Sequence, residues 1–228
     1  MAVGRNIFAT MDITTLTPES PDYPAEFRAV SDDMPPVLYA LGNTALLKHP
    51  YKVAIVGGRH ADDNGVNAAY RLGRKYAEEG RVVVSGLAAG CDTAAHRGCL
   101  DAGGKTIAIV ATDLDRVHPK DNIALQEDIL RSGGLFLSEQ PHGTKANPTR
   151  LIARTRLQAA LANPIVVAQC AERSGTMHAV AFAQKYGKHL LAVPYDYLTE
   201  QTAGNCLLIE SGIADTLSVP PMHQILLH

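Results

Sequence analysis

A chain of 228 residues with 46% hydrophobic and 19% charged residues can bury one sizeable core, and its net charge of −2 excludes a globally basic nucleic-acid binder while leaving room for a local basic pocket. No apolar run approaches the roughly 20 residues of a membrane span, and MAVGRNIFATMD lacks the apolar stretch of a secretory signal. The scattered Cys91, Cys99, Cys170 and Cys206 show no C-x-x-C spacing, so the chain reads as a cytoplasmic protein with free thiols.

Residues 1–50 form a proline-punctuated lead-in (TLTPESPDYPAEF, DDMPPVLYALGN). A short helix is expected near Ala25–Val30, docked by Leu38 and Tyr39. From residue 51 to 217 the pattern is regular. The apolar runs KVAIVGG, RVVVSG, KTIAIVA, GLFLSEQ, NPIVVAQ and HLLAVP alternate with helices expected near Asn64–Glu79, Thr93–Ala102, Asp121–Arg131, Thr149–Ala162, Thr176–Tyr186 and Asn205–Glu210. Strands of nearly continuous Val, Ile and Leu are buried on both faces, which implies a parallel sheet under helices. The expected fold is α/β: a doubly wound, mostly parallel sheet with helices on both faces, an extended Rossmann-like arrangement. Residues 218–228 form a tail whose Leu226 and Leu227 are expected to dock on the core or an interface.

In this architecture ligands bind beyond the carboxyl ends of the strands. Three loops there are candidates. After KVAIV, Gly57 and Gly58 allow a close backbone approach and Arg59 can reach an anion; the plainer account is a glycine turn with a solvated arginine. The G-x-G-x-x-G fingerprint of dinucleotide binding is absent. In SGLAAGCDTAAH, Ser85, Gly86 and Gly90 make a strand-to-helix turn fit to cradle phosphate, with Asp92 or Thr93 as N-cap. Asp92 and His96 stand at i,i+4, and a cap followed by a helix-surface histidine is preferred to an acid–base pair. In AERSGTMHAV, the residues Arg173, Ser174, Gly175 and Thr176 again lead into a helix, which ordinary capping would also explain.

The segment HGTKANPTRLIARTRLQAAL poses an electrostatic problem. Asn147 and Pro148 open a helix, yet Arg150, Arg154 and Arg156 place cations near the positive end of its dipole. At 100° per residue from Arg150, Arg154 lies at about 40°, beside Leu157 at about 340° and Leu161 at about 20°, on the stripe that the helix buries. Its guanidinium must meet a carboxylate such as Glu139 or project into an anion pocket together with Arg59, Lys145, Arg150 and Arg173.

Together these motifs resemble the DNA-processing protein A (DprA/Smf) family. The matching elements are KVAIVGGR, VVVSGLAAGCDTAAHRGCLDAGGKTIAIV, LDRVHPKDN, LFLSEQPHGT, RLIARTRLQAAL, AERSGTMHAVAFAQKYGK and LAVP…GNCLLIESG, in unbroken order from Lys52 to Gly212. The resemblance implies a cytoplasmic, non-enzymatic, dimeric protein without cofactor or metal. Such a protein binds single-stranded DNA on a Rossmann-like core and helps load the RecA recombinase in natural transformation. Carried over by motif, Arg59 corresponds to the arginine of a Gly-Ser-Arg loop, and Ser85, Gly86, Gly90 and Asp92 to a Ser-Gly-x-x-x-Gly-x-Asp loop. Arg154 and Arg156 correspond to the arginines of Arg-Asn-Arg, and Ser174 and Gly175 to an Arg-Ser-Gly-Ser turn.

The chain departs from the pattern in several places. Gly58 replaces Ser, Thr155 replaces the motif Asn, and Ala89 stands where a basic residue is common. Asp62 and Asp63 should repel a phosphate chain if they face the pocket. The family's N-terminal helical and C-terminal winged-helix domains have no counterpart here, as in a trimmed or divergent member. Aromatic residues make up 5% and Trp is absent, so stacking platforms are scarce. The alternative is a nucleotide-binding sensor or nucleotide-processing enzyme on the same scaffold, but RSGTMHAV lacks the glutamate of the related phosphoribohydrolase signature.

Overall fold

Runs such as VAIV and VVVS can be buried only if both faces of the strand are covered. The computed structural model, which describes residues 11–115 and 119–220, places every residue of these two runs in the interior. The lead-in contributes β1 (Thr14–Leu16), the short helix α1 (Ala25–Arg28) and β2 (Leu38–Gly42). The regular region contributes β3 (Lys52–Val56), β4 (Val82–Ser85), β5 (Thr106–Ile109), β6 (Leu135–Ser138), β7 (Ile165–Val167), β8 (Leu190–Ala192) and β9 (Asp215–Thr216). Leu226 and Leu227 lie outside the described residues, as does the middle of the LDRVHPKDN turn.

The described strands form one sheet in the order β1-β2-β6-β5-β4-β3-β7-β8-β9. The pairs from β6 across to β9 are parallel, whereas β1–β2 and β2–β6 are antiparallel. Winding from β3 runs outward through β4, β5 and β6, then returns to the other side of β3 with β7. The direction therefore switches between β3 and β7, where an open α/β sheet forms its crevice.

Alternate residues of each strand feed opposite cores. Val53, Ile55 and Val83 pack under α2 (Asp63–Glu78) and α3 (Cys91–Asp101), and Ala108 and Phe136 continue that layer under α4 (Ile123–Arg131). Ala54, Val56, Val84 and Ile107 face the other layer. It contains Phe27 of α1, Leu157 and Leu161 of α6 (Thr155–Leu161), Ala179 and Val180 of α7 (Thr176–Lys185), and Leu208 of α8 (Ala203–Glu210).

Two features differ from the sequence reading. The lead-in extends the sheet instead of merely resting on it: the run LYALG pairs in antiparallel register with β6. The helix expected over 149–162 is two, α5 (Pro148–Ala153) and α6. At the join the Leu157 N–H reaches the Arg154 carbonyl only three residues back at 3.0 Å, and the Thr155 hydroxyl donates to the Ile152 carbonyl at 2.7 Å. Both draw the chain into a tighter turn.

The lead-in is fastened by a buried charge. Lys52, at the start of β3, is 3% exposed. Its ammonium donates to the carbonyls of Leu47 (3.0 Å) and His49 (2.6 Å) and meets the Glu26 carboxylate at 2.6 Å. Lys52→Ala removes all three and is expected to lower unfolding stability by about 2–4 kcal/mol in urea denaturation. A change below about 0.5 kcal/mol would mean that these ties add nothing net.

Candidate functional site

The loops after β3 and β7 part at the switch and open a cleft of about 640 Å³. Three loops are joined there by backbone hydrogen bonds. Gly58 donates to the Gln169 carbonyl (2.7 Å), and Cys91 donates to the Gly58 carbonyl (3.3 Å). Gly90 precedes α3 with φ of +75°, a conformation that side chains disfavour, and a Cβ there would press on the Gly58 carbonyl.

Of the expected site residues, Gly57, Gly58, Arg59, Arg154, Arg173, Ser174, Gly175 and Thr176 line this cleft. Gly86 and Arg59 border a smaller cavity beside it, again with Arg154. Lys145 and Arg150 are not part of the lining, and the Arg150 guanidinium donates to the Lys145 carbonyl. Two expectations are corrected. Ser85 is fully buried and its hydroxyl donates to the Ile55 carbonyl at 2.7 Å, a tie between strands. Arg156 turns away from the cleft to grip Glu139 with both terminal nitrogens, the longer contact at 2.6 Å. That carboxylate, proposed for Arg154, belongs to Arg156.

Arg154 itself is 7% exposed. One terminal nitrogen donates to the Ile109 carbonyl at the end of β5 (2.9 Å), and the other lies 3.6 Å from the buried Asp92 carboxylate. The guanidinium lies so close over Gly86 that any Cβ at that position would coincide with it. Asp92 does not cap its helix in the way expected: its carboxylate accepts from the Ala88 N–H at 3.4 Å and faces Arg154. Burial pushes the Asp92 carboxyl up, against the pull of Arg154, and pulls the guanidinium down, against the push of Asp92. The misplaced charge at the helix start is thus largely neutralised from below.

His96 is not on the helix surface. It is fully buried, with Nδ1 2.7 Å from the Thr106 hydroxyl. That hydroxyl donates its one proton to the Val83 carbonyl (2.8 Å), so Nδ1 carries the imidazole proton and Nε2 keeps a bare lone pair with no partner among the described residues. Burial, assisted by Arg154, pushes this histidine down to about 3.

The acidic loop after Arg59 is also accounted for. Asp62 accepts from the Gly65 N–H, the Gln169 amide and the Tyr197 hydroxyl, each at 2.9 Å, and caps α2. Burial opposes its ionisation, but these hydrogen bonds outweigh it and hold the carboxyl below its usual range. Neither Asp62 nor Asp63 lines the cleft.

By contrast, Arg59 and Arg173 are exposed and form no ion pair among the described residues. The acidic members of the lining are Asp92, already paired, and Glu200. The cleft therefore presents two free guanidinium groups, with Gly175 and Thr176 at the start of α7 opening onto it, while the next two N–H groups, of Met177 and His178, are turned back to the Ser174 and Gly175 carbonyls. Sequence reasoning missed Leu151, Ile152 and Gln158, which supply part of the remaining wall. Gln158 carried a signal, a polar residue one turn beyond Arg154 in an otherwise apolar run. The thiol of Cys170 in the lining is pushed up to about 11 by burial, so it is no thiolate. No helix among the described residues is long and apolar enough to cross a membrane.

The family model for DNA recombination-mediator protein A matches residues 14–225. DNA processing protein DprA of Streptococcus pneumoniae is 38% identical over 180 residues, which cover 79% of this chain and 63% of that protein. Protein Smf of Synechocystis is 34% identical over 209 residues, covering 89% and 51% respectively. The chain thus spans about half to two thirds of the length of these two relatives. Among solved structures, DprA of S. pneumoniae aligns with a TM-score of 0.82 and 34% identity over 90% of this chain and 71% of that one. DNA processing protein A of Helicobacter pylori, described for its single-stranded DNA binding mode, aligns with a TM-score of 0.82 and 32% identity over 94% of both chains.

Two outcomes follow from the buried groups. Arg154→Met should destabilise by about 3–5 kcal/mol by stranding Asp92, and Asp92→Asn in the same chain should recover a large part; additive losses in a double-mutant cycle would deny the coupling. His96 has a folded pKa depressed from 6.5 to about 3, so the unfolded chain binds the extra proton between those values and stability falls as pH drops through that window. Urea unfolding at about pH 7.5 and about pH 5 should show His96→Gln losing about 2 kcal/mol less than the parent, and equal losses would contradict the assignment.

Proposed function

This chain belongs to the DNA recombination-mediator protein A family, the DprA/Smf proteins, and from that membership we propose that it binds single-stranded DNA, independently of sequence, along the cleft between the β3 and β7 loops. The observation that carries the reading is the pair of exposed, uncompensated guanidinium groups, Arg59 and Arg173, on a cleft whose buried charges, Arg154 and Asp92, already face each other. Phosphates meet these cations and the first turn of α7, while Lys145 and Arg150 extend the basic path to one side. Gly175 faces open space and lets the backbone approach a ligand closely, whereas Gly57 is free of a side chain because Cys91 and the Gln169 carbonyl occupy the space a Cβ would take.

Arg154 is a supporting member, since it holds the floor on which the phosphate path rests. Within the wider proposal, two copies of the chain pair to lengthen the path, and the strand so held is passed to the RecA recombinase during DNA uptake. A cytoplasmic setting follows from that role. The low net charge suits a protein whose attraction for nucleic acid is confined to one cleft and steeply dependent on salt.

With about three or four phosphates neutralised, affinity for a fluorescent thymine oligonucleotide should fall by about 20- to 50-fold between about 50 and about 200 mM salt. Arg59→Ala and Arg173→Ala should each weaken binding and make the log–log salt slope shallower by about 0.7. Saturable binding that neither substitution touches would remove the site assignment, and binding of a mononucleotide without binding of the oligonucleotide would overturn the DNA reading.

A further inference from the structure

The loop that displays Arg59 is held from below by one residue. Gln169, two residues beyond β7, is fully buried. Its carbonyl accepts the Gly58 N–H at 2.7 Å, at the near end of the loop. At the far end its side-chain oxygen accepts the Asp62 N–H and its amide nitrogen donates to the Asp62 carboxylate, both at 2.9 Å. The N–H groups of Arg59, His60 and Ala61, in between, have no backbone partner among the described residues.

A backbone N–H only donates and a carboxylate only accepts, so the amide has one orientation and the pair closes as a ring of two hydrogen bonds. Capping α2 requires less. Asp62 takes the Gly65 N–H at 2.9 Å, and that bond alone serves the cap. The bonds from Gln169 and from the Tyr197 hydroxyl, also at 2.9 Å, reach Asp62 from two other loops. Gly65 is bare where the amide lies, since a Cβ there would stand 2.4 Å from the amide oxygen. Arg59 needs such restraint. Its charge works against that of Arg154, with which it borders the smaller cavity. A loose loop would relieve this repulsion by carrying Arg59 out into water.

Resting on the single-stranded DNA reading above, we infer that Gln169 is the positioning residue for Arg59, clamping its loop at Gly58 and Asp62 so that the guanidinium is already in place for a phosphate. An arginine on a fixed backbone loses less freedom on binding than one on a mobile loop, and the difference appears as affinity. Asp62, acidic and next to the cleft, thereby supports anion binding from beneath.

The test is a set of anisotropy titrations with a fluorescent thymine oligomer of about 20 nucleotides, with thermal unfolding recorded for each variant. Gln169→Met keeps the length of the side chain and removes both contacts to Asp62. It should weaken binding by about three- to tenfold. The same substitution should change affinity by less than about 1.5-fold when Arg59→Ala is already present, and keep its full effect beside Arg173→Ala. A general loss of structure would act equally in both backgrounds. Gln169→Glu sets a second carboxylate against Asp62 and should weaken binding alike. Adding Asp62→Ser should restore affinity to within about twofold, because the new hydroxyl accepts from Gly65 and donates to the new carboxylate. If both single variants are unfolded at the assay temperature, Tyr197→Phe removes one donor to Asp62 and should give a smaller loss that again vanishes with Arg59→Ala. Parental affinity in the folded variants, or losses undiminished by Arg59→Ala, would overturn the clamp and leave the DNA reading standing. Parental affinity in Arg59→Ala itself, or no saturable, salt-sensitive binding at all, would overturn that reading and the clamp with it.

Discussion

The site depends on a single guanidinium placed where water hardly reaches. Arg154 spans the space between the end of β5, the Asp92 carboxylate at the start of α3 and the backbone at Gly86. Gly86 and Asp92 belong to the β4–α3 unit and Ile109 ends β5, so one side chain ties two βα units to the helix that walls the cleft. A buried ion pair seldom adds much net stability, because desolvation consumes most of the attraction. Its value here is geometric. The charge fixes where each loop stands, and removing either member leaves the other stranded. With Arg154 and Arg156 both committed to carboxylates, the free positive charge in the cleft wall narrows to Arg59 and Arg173.

The sheet and its order of burial were legible from period and composition, because Val, Ile and Leu runs between glycines have few alternatives in a chain of this size. The three ligand-side loops were legible for the same reason: glycines and hydroxyl residues at strand ends have a narrow range of uses. What the sequence hid was pairing across distance. Arg154 could be placed on the buried stripe of its helix, but nothing local distinguished Glu139 from Asp92 as its partner. His96 looked like a surface residue because nothing local showed that α3 turns it toward the sheet, where Thr106 of β5 meets it. Gln158 stood out as a polar residue in an apolar run, but its place in the cleft wall is set by how α6 packs, which no local pattern shows.

The lead-in shows how weak periodicity misleads. LYALG is too short, and too close to prolines, to announce a strand, yet β6 offers it an unpaired edge already lined by apolar neighbours. Tertiary context supplied what propensity did not. Lys52 then couples that added layer to the first strand of the winding, so the lead-in and the switch-point loops share one rigid sheet.

The sheet's two margins have a consequence for how the molecule behaves in company. An exposed strand edge is a template on which another chain can polymerise. Among the described residues the outermost strands are β1, with three residues, and β9, with two, both largely open to water. Each offers too few free backbone groups to recruit a foreign strand. Under the DNA binding proposed above, copies crowded along one polyanion are thereby kept from condensing into β-sheet aggregates.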